Sequence, residues 1–166
     1  MKKIMKHVET TMERLDVMHS DLEKECLKIL RKLAVKIHFI FKGKPYKGIA
    51  AGLILLTCRK LNLPVRLRQI VKASGIKFRI IYKCINVMKL HVPETCGYVS
   101  KPINFLKKIA QKLRFSEENF NFSKEILSLI ESHPARKSAH ATTLAGCAIF
   151  LTFMIKKEIT NIKLGH

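Results

Sequence analysis

Between Glu25 and Glu94 the sequence has no Asp and no Glu, while sixteen Lys and Arg fall in the same interval. A surface made from that stretch cannot neutralise itself with its own carboxylates. The flanks hold six acidic residues each, and the chain of 166 residues carries a formal charge of +20. Charge of one sign in that amount exceeds what solubility requires and calls for a polyanionic partner. Paired cysteines are lacking as well. Cys26, Cys58, Cys84, Cys96 and Cys147 stand singly, with no C-x-x-C, which excludes zinc fingers of that spacing. His133, His140 and Cys147 recur at intervals of seven, but Pro134 breaks the helix between them, so no metal site is expected. There is no glycine-rich phosphate loop and no nucleophile elbow. Neither a catalytic residue nor a cofactor is expected, and the chain does not read as an enzyme.

Hydrophobic runs of membrane length are also missing. Residues 48–58 and 142–155 are apolar but fall short of the roughly 20 residues a bilayer needs. The opening "MKKIMKHVETTMERL" is broken by charge too early to be a signal peptide, so an intracellular chain without a membrane partner is expected.

What is present is helical periodicity, with no convincing period-2 strand, and the fold class that follows is all-α. A first helix is expected over residues 5–15, with Val8, Met12 and Leu15 on one face. Ser20 with Glu23 three residues on has the capping-box pattern, and Leu22, Cys26, Ile29, Leu30 and Leu33 then make a buried stripe. Past the Gly43 and Pro45 breakers, residues 45–60 read as a central helix enclosed by its neighbours. A short helix over 66–73, a Ser74-Gly75 turn and a helix over 77–90 follow. At least one of Ile80 and Ile81 must enter the core.

Residues 93–102 read as a linker between a first unit at 1–92 and a second at 103–166. The second opens with a helix over 103–113 that turns Leu106, Ile109, Ala110 and Leu113 inward. Ser116 starts another, a turn is expected at 132–138, and a second apolar helix runs to about Lys157. An offset of 95 aligns Ile49 with Leu144, Ala50 with Ala145, Ile54 with Ile149 and Leu56 with Leu151. Two units of one design are implied, the second shorter than the first by about 30 residues.

The stretch "GKPYKGIAAGLILLTCRKLNLPVRLRQIVKASGI" resembles the first cyclin-like repeat of archaeal transcription factor B and eukaryotic transcription factor IIB. The match is gapless through Cys58-Arg59, Leu61, Pro64, Leu67, Ile70, Ile76 and Ile81. "KPINFLKKIAQKLRFSEE" is similar to the opening of the family's second repeat. The resemblance implies a five-helix cyclin-like repeat with a helix-turn-helix, followed by a truncated second repeat. It also implies double-stranded promoter DNA and the TATA-binding protein as partners, with RNA polymerase a further one. The chain departs from the family in lacking the zinc ribbon, which recruits polymerase there, and the second helix-turn-helix. The family's capping Thr and Glu are here Arg66 and Gln69, and a small residue of the family's fifth helix is Tyr82, which must turn outward or alter the packing.

The candidate DNA-binding residues are Arg66, Arg68, Lys72, Ser74, Lys77, Arg79 and Lys83, grouped around the helix-turn-helix where free backbone N–H groups can meet phosphates. The expectation is a non-catalytic transcription initiation factor B-like protein, either regulatory or a reduced paralogue, gripping backbone beside a partner protein. A cyclin-like adaptor that binds protein without specific DNA binding is the rival. A piece of a longer chain is the third reading, in which the apolar helix from Thr142 lacks part of its cover.

Overall fold

One helix of the first unit has no polar side, and its neighbours are arranged to enclose it. The computed structural model describes residues 1–17, 20–34, 37–134 and 139–164, which include helices and turns but no strand. They divide into two units, Met1–Val99 and Ser100–His166. In the first, α1 (Lys2–Leu15), α2 (Ser20–Leu33), α3 (Ile37–Ile40), α4 (Tyr46–Lys60), α5 (Leu67–Ser74) and α6 (Phe78–His91) precede a 3-10 turn, η1 (Pro93–Gly97). Every residue of α4 from Gly48 to Cys58 is buried. Around it pack α1, α2, α5 and α6. Leu53, Ile54, Leu55 and Leu56 lose essentially all their accessible surface, a transfer of about 2 kcal/mol each.

The surrounding helices are amphipathic, each with one stripe turned to α4. On α1 it is Ile4, Val8, Thr11 and Met12, with Leu15 only partly covered. On α2 it is the five residues read from the sequence. On α6 it is Ile81, Cys84, Ile85 and Met88, so Ile81 enters the core while Ile80 packs at its edge. Two glycines let α6 approach α4 closely. A Cβ on Gly48 would lie 2.9 Å from Ile80 Cγ2, and one on Gly52 would lie 3.3 Å from Met88 Cε.

The linker expected over 93–102 is shorter than its composition suggested. Val92 and Thr95 are buried, and the Thr95 hydroxyl donates to the Val92 carbonyl at 2.8 Å. Lys32 pairs with Glu94 at 2.6 Å, and this hydrogen bond holds the Glu94 carboxyl below the usual carboxylate range. Lys60 hydrogen-bonds Glu25, which raises the ammonium above the ordinary lysine value, and lies 5.6 Å from the centre of the Tyr98 ring. Residues 93–98 therefore belong to the first unit, tied down by contacts that composition does not reveal.

The second unit contains α7 (Pro102–Lys112), α8 (Glu117–Ser132) and α9 (Ala141–Leu164). Its core comprises Phe105, Leu106, Ile126, Leu127, Leu144, Ala145, Ala148 and Ile149. Leu113, expected inward, is exposed: it is the residue that ends α7, and Phe105 takes the inward place. The Ser116 hydroxyl caps α8 by accepting from the Asn119 N–H at 3.2 Å. The turn expected at 132–138 lies mostly outside the described residues.

The offset of 95 carries into side-chain detail. It relates the first residue of α4, Tyr46, to the first of α9, Ala141, and the buried Thr57 to the buried Thr152. Thr57 Oγ1 accepts from the Cys26 thiol of α2 at 3.4 Å, and Thr152 Oγ1 shares a 2.7 Å hydrogen bond with Ser123 of α8. Each apolar helix is thus pinned to the preceding long helix by one buried hydroxyl. The two differ in cover. α7 and α8 pack against one side of α9, while Phe150 and Met154 on its other side are exposed and Phe153, half-exposed, meets the Phe115 ring edge-on at 5.1 Å.

Two measurements follow. Ile80 is stiff at its branched Cβ, so Gly48→Ala forces backbone movement and lowers stability by about 1–2 kcal/mol, read as an earlier midpoint in chemical denaturation. Gly52→Ala, facing the flexible Met88 methyl, should cost distinctly less. Burial pushes the Cys26 thiol up to about 12 and the Cys84 thiol up to about 11, whereas Cys96 and Cys147 are exposed. A thiol reagent at pH 8 should therefore label two cysteines quickly and the other three only on unfolding, as counted by mass spectrometry.

Candidate nucleic-acid interface

Helix α5 and helix α6 both begin against the usual electrostatic preference. A helix N-terminus carries a partial positive charge and is normally capped by a side-chain oxygen and flanked by carboxylates. That is how α8 begins, with Ser116 as cap and Glu117 and Glu118 in its first turn, and α2 likewise carries Asp21 and Glu23 in its first turn. In α5 the N-cap is Arg66, the second helical residue is Arg68, and the first turn has no acid. In α6 the N-cap is Lys77, the second residue is Arg79, and again there is no acid. Neither cap residue accepts a hydrogen bond through its side chain.

Half of a capping box survives at α5. The Gln69 side-chain oxygen accepts from the Arg66 backbone N–H at 2.9 Å. The other half is chemically impossible, because a guanidinium has no acceptor. The pair Arg66 and Gln69 therefore keeps one hydrogen bond of the box and forgoes the other. The far end of α5 is well closed: Gly75 takes the left-handed conformation at φ 70°, and Arg14 of α1 donates to the Ala73 carbonyl at 3.1 Å. Helix α5 is thus strongly capped at one end and basic, without a side-chain cap, at the other.

Of the candidate residues, Arg66, Arg68, Lys72, Lys77, Arg79 and Lys83 are exposed. Among the described residues none of the six pairs with a carboxylate, in contrast to Lys32, Lys60 and Lys156, which do. Arg68, Lys72, Lys77 and Arg79 line one open groove of about 720 Å³ together with Leu67, Val71 and Phe78. Arg66 and Lys83 lie outside that lining. Ser74 is buried: its hydroxyl donates to the Ile70 carbonyl at 2.7 Å and accepts from the Ile76 N–H at 3.3 Å. Its place in the site is to hold the turn that sets α6 against α5.

Sequence reasoning passed over the apolar half of the groove. Phe78 is 59% exposed, and its ring meets Tyr82 edge-on with centroids 6.2 Å apart. Tyr82 thus turns outward, as its bulk requires beside α4. The available signal was Phe78 and Tyr82 at positions i and i+4 among basic residues, which puts both rings on one exposed face. Among the described residues no group of three His, Cys, Asp or Glu side chains converges as a metal site would require, and no helix is long and apolar enough to cross a membrane.

Over 135 residues, 81% of its length, the sequence is 25% identical to transcription initiation factor IIB 1 of Thermoplasma volcanium. The chain is distantly similar to archaeal transcription initiation factor IIB. The same similarity, at 21% identity over 120 residues, links it to transcription initiation factor IIB of Pyrobaculum islandicum and of Pyrobaculum aerophilum. The matched stretch spans 43% of the Thermoplasma protein and 34% of each Pyrobaculum protein, less than half the length of these relatives. No protein-family model matches the chain. Its all-helical architecture is consistent with the cyclin-like core of factor IIB.

The assignment of Ser74 to the turn can be checked directly. Ser74→Ala should lower stability by about 1 kcal/mol through loss of its buried hydrogen bonds. It should leave DNA affinity, measured at a temperature where the variant is fully folded, within twofold of the parent.

Proposed function

We propose that the chain is a non-catalytic factor IIB-like transcription protein whose first unit grips the backbone of double-stranded promoter DNA beside the TATA-binding protein. The observation that carries this reading is the pair of helix N-termini in α5 and α6, both without side-chain caps or carboxylates and both bearing arginine at the second position. Each basic residue near a positive helix end is unfavourable by a few tenths of a kcal/mol in the free protein, and a bound phosphate reverses the sign of that interaction. Arg66, Arg68, Lys72, Lys77, Arg79 and Lys83 supply the charge, and the open amides supply direction. The contacts are to phosphates, which position the protein without specifying sequence. A regulatory relative of factor IIB fits the shared core, and its two units then correspond to two cyclin-like repeats. RNA polymerase would be reached through the promoter complex.

A gel-shift titration tests the proposal. The chain should supershift a TATA-binding protein–promoter complex, and absence of a supershift at micromolar protein would sink it. With about four to six phosphate contacts, log affinity should fall with log salt at a slope of about −4 to −5, and Arg79→Ala should make the slope shallower by about one.

The groove's apolar floor of Leu67, Val71 and Phe78 favours a second reading, a cyclin-like adaptor that docks a protein segment there. An adaptor would bind its partner with little salt dependence and DNA only feebly, and Phe78→Ala would weaken the protein complex while sparing DNA.

A further inference from the structure

The outward face of α9 carries more apolar surface than a solvated helix requires. Leu144, Ala145, Ala148, Ile149 and Thr152 point into the second unit's core. On the opposite side Thr143, Gly146, Cys147, Phe150, Phe153, Met154 and Lys157 repeat at spacings of three and four, the pattern of a helix-pairing seam. Phe150 is 62% exposed, Phe153 52% beside its edge-on contact with Phe115, and Met154 44%, with Leu151 exposed at one flank. Together these four side chains leave about 350 Å² of apolar surface in water. With roughly 60% of an interface apolar, that corresponds to about 600 Å² per partner, at the low end of protein interfaces.

We infer that this face pairs with the same face of a second copy, the two α9 helices running antiparallel. Shape selects both the partner and the direction. The first half of the seam is small, with Gly146 and Cys147, and the second half is large, with Phe153 and Met154. A two-fold axis near Phe150 sets Gly146 of one copy opposite Met154 of the other, and Cys147 opposite Phe153, so small meets large twice. Parallel pairing would put phenylalanine against phenylalanine at one end and leave a void at the other. Charge agrees: the antiparallel register places Lys157 opposite Thr143 and not opposite another Lys157. Gly146 supplies an independent reason. A Cβ there would meet nothing within 4 Å, so no contact inside the chain requires glycine at this helix-interior position. A helix approaching from outside would.

The contact is distinct from the basic groove of α5 and α6, and its response to salt is opposite. Each copy carries +20, so association is opposed by charge repulsion at low ionic strength and strengthens as salt screens it. Sedimentation equilibrium of the full chain from 5 to 200 µM protein, in about 0.1 to 0.6 M salt chosen to vary the screening length, tests this. A monomer–dimer equilibrium with a dissociation constant in the tens of micromolar or tighter, tightening with salt, is expected. Phe150→Glu should leave a monomer with an unchanged helical circular dichroism spectrum. Gly146→Leu should weaken the dimer at least tenfold although leucine favours the isolated helix, a combination that a purely structural role for Gly146 would not produce. In a Cys96→Ser background, Phe153→Cys should cross-link to Cys147 of the second copy on mild oxidation. A chain that stays monomeric at 200 µM in high salt, or a dimer unaffected by Phe150→Glu, overturns the proposal. Efficient Cys147–Cys147 cross-linking without cross-linking at residue 153 overturns the antiparallel register.

Discussion

The first unit depends on the enclosure of α4. A helix with eleven consecutive buried residues has no stable existence until it is surrounded, and the chain supplies its cover from both sides in sequence. The preceding helices α1 and α2 take one part of its circumference and the following α5 and α6 take another. The basic helix-turn-helix is thereby held by the core and not by its own polar contacts. Ile70 of α5 and Ile81 of α6 are fully buried, and these anchors fix the angle at which the exposed arginines are presented. Gly48 and Gly52 permit the close approach that makes this possible. Packing at α4 and electrostatics at the surface are therefore one problem, solved by the same two helices.

Much of this was legible in the sequence because it rests on periodicity. The stripe of α2 was readable residue by residue, since a 3.6-residue repeat with a small set of apolar types leaves little freedom. The enclosed character of α4 was readable from the absence of polar residues over 48–58. Leu113 shows where periodicity stops being informative: it has the right spacing, but the helix ends there and the chain turns away. The residues just after α6 show another limit of composition. Pro and Gly content indicates irregular backbone, and irregular backbone can still be pinned by distant side chains such as Lys32 and Lys60.

The candidate site was legible as charge but not as geometry. Counting Lys and Arg picked out six cations that the structure leaves exposed, because basic residues in an acid-free stretch have nowhere to go but the surface. Counting could not distinguish Ser74, whose hydroxyl faces inward to the Ile70 carbonyl, from a serine offered to a phosphate. It also could not show that four of the cations share a groove with an apolar floor, since Phe78 and Leu67 meet only through the turn. Capping chemistry is the clearer signal in retrospect: two successive helices starting on Arg and Lys is a local conflict that a folded core alone does not explain.

The open beginnings of α5 and α6 have a thermodynamic corollary. A segment that keeps like charges against its own helix dipoles is less stable empty than occupied. Any anion that satisfies those amides binds the folded form and has no equivalent site on the unfolded chain. Occupancy and folding are then linked quantities, and the free energy of one appears in the midpoint of the other. On the proposed reading, phosphates at these two helix ends would make the helix-turn-helix firmer than it is in dilute buffer.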